Sequence, residues 1–352
     1  MSYTNGLDKP SDYFNTVTYT GNSTARNIVT SHATNFAWLK VRNTSGDHYL
    51  FDSVRGTNNY IRSNRNDAEG SLSGTLTSFN SDGYSLGTTN ATNTNGETQV
   101  GWSWVAGTSF TNDASSTGIG TIDSSGSVNT DAGFSICSFT GNGTSGASVK
   151  HGLSTKPAMM IIKNRDEADS WQVYHHKNTS APATETLQLN ETGATSDTSN
   201  RWNDTEPTTA IFTLGDNPTV NKNTIKYIGY IFSEIKGYSK FGSYTGNGNA
   251  DGTFIYTGFK PAFLITKKTN ATGPWDMFDN TRNVINPVNS RLHPNASDTE
   301  FTNSAMNIDF VSNGFKIKTT DNELNTSGST YIYMAFAENP FVTSTGVPAT
   351  AR

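Results

Sequence analysis

Apolar and polar residues alternate at period two along short stretches of this chain, and the same stretches return three times in the same order. Such alternation marks a strand with one buried face. Val100, Trp102 and Trp104 share one face, with Gln99, Gly101 and Ser103 on the other. Ile228, Tyr230 and Phe232, then Ile332, Met334 and Phe336, repeat that parity without a slip. A second recurring strand carries Phe36 and Trp38, Met159 and Ile161, or Phe263 and Ile265, and ends in Lys40, Lys163 or Lys267. Eight residues beyond each lysine stands a ring (His48, Trp171, Trp275), and eleven beyond stands another (Phe51, Tyr174, Phe278). Tyr84, Phe212 and Phe315 mark a further strand, and each unit opens on a phrase of the type Tyr19-Thr20-Gly21-Asn22.

Three copies of about 105 residues account for most of the 352. A repeat of that length is large enough for a sandwich with its own core. The pattern predicts an all-β chain of three tandem antiparallel β-sandwiches of jelly-roll or lectin-like form. The expected boundaries are 1–110 for the first copy with a short lead, 133–237 for the second, and 238–352 for the third with a tail. Residues 111–132, rich in Gly, Ser, Thr and Asp, read as a linker, or as a hairpin turning at Ser125-Gly126. The faces bearing Trp102, Tyr230 and Met334 are expected to line the core of each sandwich. The opposite face is polar in the first copy but carries Tyr227 and Ile231 in the second and Tyr331 and Tyr333 in the third. Apolar residues on both faces of a strand require that both be covered. These four residues are therefore expected at an interface, with another copy or another subunit, while the first copy leaves its second face more exposed.

Charged residues make up 16% of the chain, with a net charge of −5 and no basic run, which argues against a nucleic-acid partner. No apolar stretch reaches the ~18 residues of a membrane-crossing helix, and the amino terminus lacks the pattern of an export signal. Synthesis in the cytoplasm without export, and no membrane insertion, are the expectations. Cys137 is the only cysteine, so no internal disulfide is available, and it reads as a buried strand residue.

The lead Asn5-Gly6-Leu7-Asp8-Lys9-Pro10-Ser11-Asp12-Tyr13-Phe14 and the run Leu50-Phe51-Asp52-Ser53-Val54-Arg55-Gly56 resemble a repeat family of uncharacterised function. So do Tyr238-Ser239-Lys240-Phe241-Gly242-Ser243-Tyr244-Thr245-Gly246-Asn247-Gly248 and Tyr331-Ile332-Tyr333-Met334-Ala335-Phe336-Ala337-Glu338-Asn339-Pro340-Phe341. That family occurs in tail-fibre and other virion structural proteins of tailed bacteriophages, marine ones in particular. The resemblance covers nearly the whole chain. It implies a place on the virion surface, other virion proteins as partners, and a homo-oligomer of the trimeric kind found in fibres. It supplies no catalytic or sugar-binding residues.

An aromatic ring beside amides and carboxylates suits a sugar, whose apolar face stacks while its hydroxyls bond the neighbours. Arg201, Trp202, Asn203 and Asp204 form such a group in a polar stretch that the other copies lack. Asp166, Glu167 and Asp169 crowd one turn and offer oxygen ligands for a structural calcium ion, although their spacing is not that of an EF-hand. No Glu-x-Asp pair inside an apolar run, Gly-x-Ser-x-Gly elbow or Cys/His pair appears, so no catalysis and no other cofactor are expected. The leading expectation is a virion adhesin for a host-surface glycan. The alternatives are a capsid or tail decoration protein without a glycan ligand and a polysaccharide-degrading tailspike.

Overall fold

The computed structural model describes residues 4, 6–302 and 305–350; Asn5 of the lead lies outside them. The described chain is all-β, with antiparallel strand ladders and no helical segment longer than four residues. Three large sheets share one arrangement. In each, the strand of the third landmark (Thr98–Trp104, Lys226–Phe232 or Thr330–Pro340) lies between the opening strand and the lysine strand. The register matches as well: Trp38 faces Trp102, Ile161 faces Tyr230, and Ile265 faces Met334.

The recurring Thr-Gly-Asn phrase has a local cause. A Cβ at Gly21, Gly141 or Gly246 would lie 2.1, 2.4 or 2.3 Å from a backbone carbonyl of the turn that precedes the third-landmark strand. The next residue, Asn22, Asn142 or Asn247, donates its N–H to the side chain of a buried asparagine in that turn, Asn93, Asn221 or Asn325. Only glycine permits the approach.

Each large sheet is covered on one face by a small sheet of its own copy. The small sheets are Arg26–Val29 with Gly83–Leu86 and Leu76–Asn80, Ala147–Lys150 with Ile211–Leu214, and Phe254–Tyr256 with Gly314–Lys318 and Asn307–Val311. Three separate apolar clusters fill these sandwiches. Tyr227 and Ile231 belong to the second, and Tyr331 and Tyr333 to the third. Tyr331 stacks on Tyr244 at 4.8 Å and Tyr227 on Phe139 at 5.3 Å. The four expected interface residues are thus interior residues of their own copies. The first copy's second face is buried too, because Gly101 leaves room for Tyr84 and Ser103 bonds His32.

The faces expected to line each sandwich do something else. Phe36, Trp38, Trp102 and Trp104 join Met159, Ile161, Tyr230 and Phe232, and Phe263, Ile265, Met334 and Phe336, in one apolar core common to all three copies. Trp104, Phe232 and Phe336, equivalent by sequence, have ring centroids 5.7 to 6.5 Å apart. The three large sheets therefore meet about a common centre, and the copies are not free-standing units. Period-two patterning reports that a face is covered but not by which partner.

The seams close into a ring. Glu69 and Asp169 donate backbone N–H groups to the carbonyls of Arg165 and Asn66, tying the first copy to the second. Thr195 with Thr269 and Gly273 with Thr192 tie the second to the third, and Glu300 with Arg42 and Gly46 with Ser297 return the third to the first. Paired guanidinium bonds from Arg165 to Glu69 and from Arg42 to Glu300 reinforce two of the seams.

Residues 111–132 are not a linker. Strands Thr108–Asn112 and Ser124–Asn129 pair with each other, and the latter pairs with Phe134–Thr140, extending the second sheet to eight strands. The hairpin foreseen there exists, but it turns through residues 113–123, and Ser125-Gly126 lies within a strand. The junction near 237 is packed as well, with Ile235 and Tyr238 in the common core.

Candidate functional site

The inserted hairpin borders an open groove of about 760 Å³, with Asn112, Asp113, Asp123, Ser125, Thr140 and Lys226 among its walls. Its geometry is set locally. Asp113 caps the turn Ala114–Thr117 by accepting the N–H of Ser116 and the hydroxyl of Ser115, and Gly118 ends the turn at a positive φ of 67°. Asp123 accepts the N–H of Ala114 at 2.8 Å, and Asn112 donates to the carbonyl of Ile119 at 2.9 Å. These bonds fix the loop from both ends. The bond from Ser115, followed by that from the Ser116 backbone, holds the Asp113 carboxyl below its usual range, so it stays anionic in water. Asp123, Ser125, Thr140 and Lys226 are exposed along the groove. Sequence reasoning missed these groups; the signal was a Thr/Ser/Asp-rich insertion in one copy alone.

The group around Trp202 is differently placed. Trp202 is fully buried, donates its indole N–H to the Glu185 carbonyl at 2.9 Å, and meets Tyr174 edge to face. It presents no ring to a sugar. Arg201 bonds Gln172 and Asn200, and burial pushes its pKa down. Asn203 accepts the Ser145 hydroxyl, and Asp204 is exposed. The tryptophan belongs to the sandwich interior because its short helical turn folds onto the end of the sheet.

The three acidic residues foreseen for calcium do not converge. Asp166 accepts the backbone N–H of Lys226, Glu167 pairs with the Lys222 ammonium, and Asp169 accepts the Asn164 amide. Each carboxylate already has its own donor. Among the described residues the one grouping with the spacing of metal ligands is Asp276, His293 and Glu323, and there the Arg291 guanidinium bridges the two carboxylates. The cluster is an ion-pair network.

The recurring lysines have a structural role at the seams. Lys40, Lys163 and Lys267 are buried, and each donates to the carbonyl of the following residue. Lys267 also reaches the carbonyl of Thr192 in the neighbouring copy. Burial pushes all three down to about 8. Cys137 is buried as expected, and burial raises its thiol to about 12, which removes it as a nucleophile.

A family model described as a domain of unknown function (DUF7483) matches residues 9–340, and the chain belongs to that family. The single match spans all three copies and the inserted hairpin. No curated protein and no solved structure matches the chain.

Proposed function

We propose that this protein is a bacteriophage virion surface protein, of the tail-fibre kind, that attaches to a host-surface glycan through the groove beside the inserted hairpin. The observation that carries the reading is the groove's composition. Hydroxyl, amide, carboxylate and ammonium groups line an open, fixed trough, and these groups can donate to and accept from the hydroxyls of a sugar. The resemblance of the sequence to phage virion repeats supplies the setting. A polar, weakly charged exterior suits a protein carried outside a particle, where ionic strength varies.

The test is adsorption of the purified full chain to host envelope polysaccharide, repeated with Asp123→Asn and Ser125→Tyr. About tenfold weaker adsorption with an unchanged melting temperature is the expected result. Undiminished adsorption by both variants refutes the groove as the site. No adsorption by the unmodified chain refutes attachment itself and favours a decoration role.

A further inference from the structure

The inserted hairpin has a second effect, on the edge of a small sheet. Thr121 and Ile122 lie alongside strand Ala147–Lys150, with Ile122 bridged to Val149 in parallel. The N–H groups of Thr121 and Ile122 reach the Ser148 carbonyl at 2.8 and 3.0 Å, and the Ser148 N–H reaches the Thr121 hydroxyl at 2.8 Å. Gly120, at φ +76°, makes the approach possible, since a Cβ there would lie 2.8 Å from the Ser148 oxygen. Ile122 is buried in the sandwich as a result. The second copy thus has its edge covered by a Gly-Thr-Ile segment.

Ile28 and Ile255 occupy the place of Val149 in the other two copies, facing Tyr84 and Phe315 as Val149 faces Phe212. Among the described residues neither edge carries a further strand. The first copy guards its edge with Arg26, which bonds the Thr20 carbonyl and lies over the Tyr19 ring, and with Asn27. The third copy has no such guard: its edge strand is Phe254-Ile255-Tyr256, with Phe254 46% and Tyr256 54% exposed. Thr253 and Thr257 make their backbone bonds inward, to Ile317 and Asn313, so the N–H and C=O groups of Phe254 and Tyr256 point outward. An uncharged apolar edge of this kind is a template for an incoming strand.

We propose that the edge Phe254–Tyr256 receives an extended segment of a partner protein, added in parallel as Thr121 and Ile122 are added to the second copy. The occupant's chemistry follows from that internal example. It carries a glycine where the backbones approach, a hydroxyl residue next to it to take an outward N–H, and then a β-branched residue to bury against the sandwich. This chain's own segment of that form is already engaged, so the occupant comes from another protein. The proposal stands apart from glycan binding, which uses the groove of the second copy, whereas this edge belongs to the third.

A fluorescein-labelled peptide with the sequence of residues 117–126, titrated against the full chain by anisotropy, tests it. Saturable binding below about 1 mM is expected, weakened about tenfold or more by Tyr256→Pro, which removes an outward N–H together with the exposed ring, but not by Tyr256→Val, which removes the ring and keeps the N–H. Phe254→Asp, a charge placed on an exposed edge side chain, is the second variant and gives the same loss without touching the backbone. No saturable binding, or binding that neither variant alters, overturns the proposal. Self-association of the chain that Phe254→Asp abolishes overturns it too, by placing a second copy on that edge.

Discussion

The indole N–H of Trp102 donates a 3.0 Å hydrogen bond to Oδ2 of Asp279, across 177 residues of sequence and across the seam between the first and third copies. The same carboxylate pairs with the buried Arg282, whose guanidinium lies 5.5 Å from the Trp102 ring. At the next seam the Tyr230 hydroxyl donates to Asp52, which pairs with Arg55 in the same way. At the third, His175 bonds the Tyr333 carbonyl through Nε2. Nδ1 of His175 accepts the N–H of Lys177, so Nε2 carries the proton and donates.

Asp279→Ala removes the nearer of the two carboxylates that pair with the buried Arg282 guanidinium, leaving Glu300, and takes away the acceptor of the Trp102 N–H; it is expected to cost about 3 kcal/mol. Urea unfolding followed by tryptophan fluorescence measures it, and a midpoint equal to the unmodified chain's contradicts the role assigned to the pair. In a double-mutant cycle, Trp102→Phe and Asp279→Asn should couple by about 0.5–3 kcal/mol.

Burial holds His175 at about 3 and His151 at about 4. Between those values and the ordinary ~6.5 the unfolded chain binds more protons, so stability falls as the pH drops through that window. The expected slope is about 1.4 kcal/mol per pH unit for each histidine. Lys40, Lys163 and Lys267, held at about 8, titrate with the same sign at the other end: stability rises with pH from about 8 towards the unfolded lysine value near 10.4. Melting temperatures recorded from pH 4 to 10 should show both slopes. A flat profile between pH 4 and 6.5 contradicts the buried, neutral histidines.

Trp202→Ala should lower stability by about 3–5 kcal/mol, as removal of a buried aromatic does. Any loss of glycan adsorption should follow unfolding rather than precede it. Selective loss of adsorption at full stability would return the ring to a binding role. Calorimetry beside the adsorption assay separates the two outcomes.

Residues 133–237 expressed alone should not behave as a stable monomer. Ile161, Val173, Tyr230 and Phe232 would lose the partners that bury them in the common core. Sedimentation and near-ultraviolet circular dichroism of the fragment would show association or a loose fold. A monodisperse, cooperatively melting monomer contradicts the shared core.

The strands were legible because alternation is a local property, and so were the equivalent positions from Lys40 to Lys267. Which layer covered which face was not. Val100, Trp102 and Trp104 are as apolar as a sandwich interior requires, and nothing in their order says that the covering atoms belong to Phe232, Phe263 or Phe336. Trp202 misled for the opposite reason. Its neighbours Arg201, Asn203 and Asp204 are polar, yet the short turn Ser199–Trp202 points its one large ring inward. The groove was illegible because its members, from Asn112 to Lys226, are ordinary surface residues until the hairpin brings them together.

A ring built from one chain has a genetic consequence. Identical subunits around an axis must change every seam at once, because a single codon is read into each of them. Here every seam has its own codons. A carboxylate can accept a bond at Asp52 and Asp279 while an imidazole donates one at His175, and one copy can gain a hairpin that its siblings never acquire. Fusion frees the protein to be lopsided, with novelty tried on a third of the circumference while the remainder keeps the molecule folded.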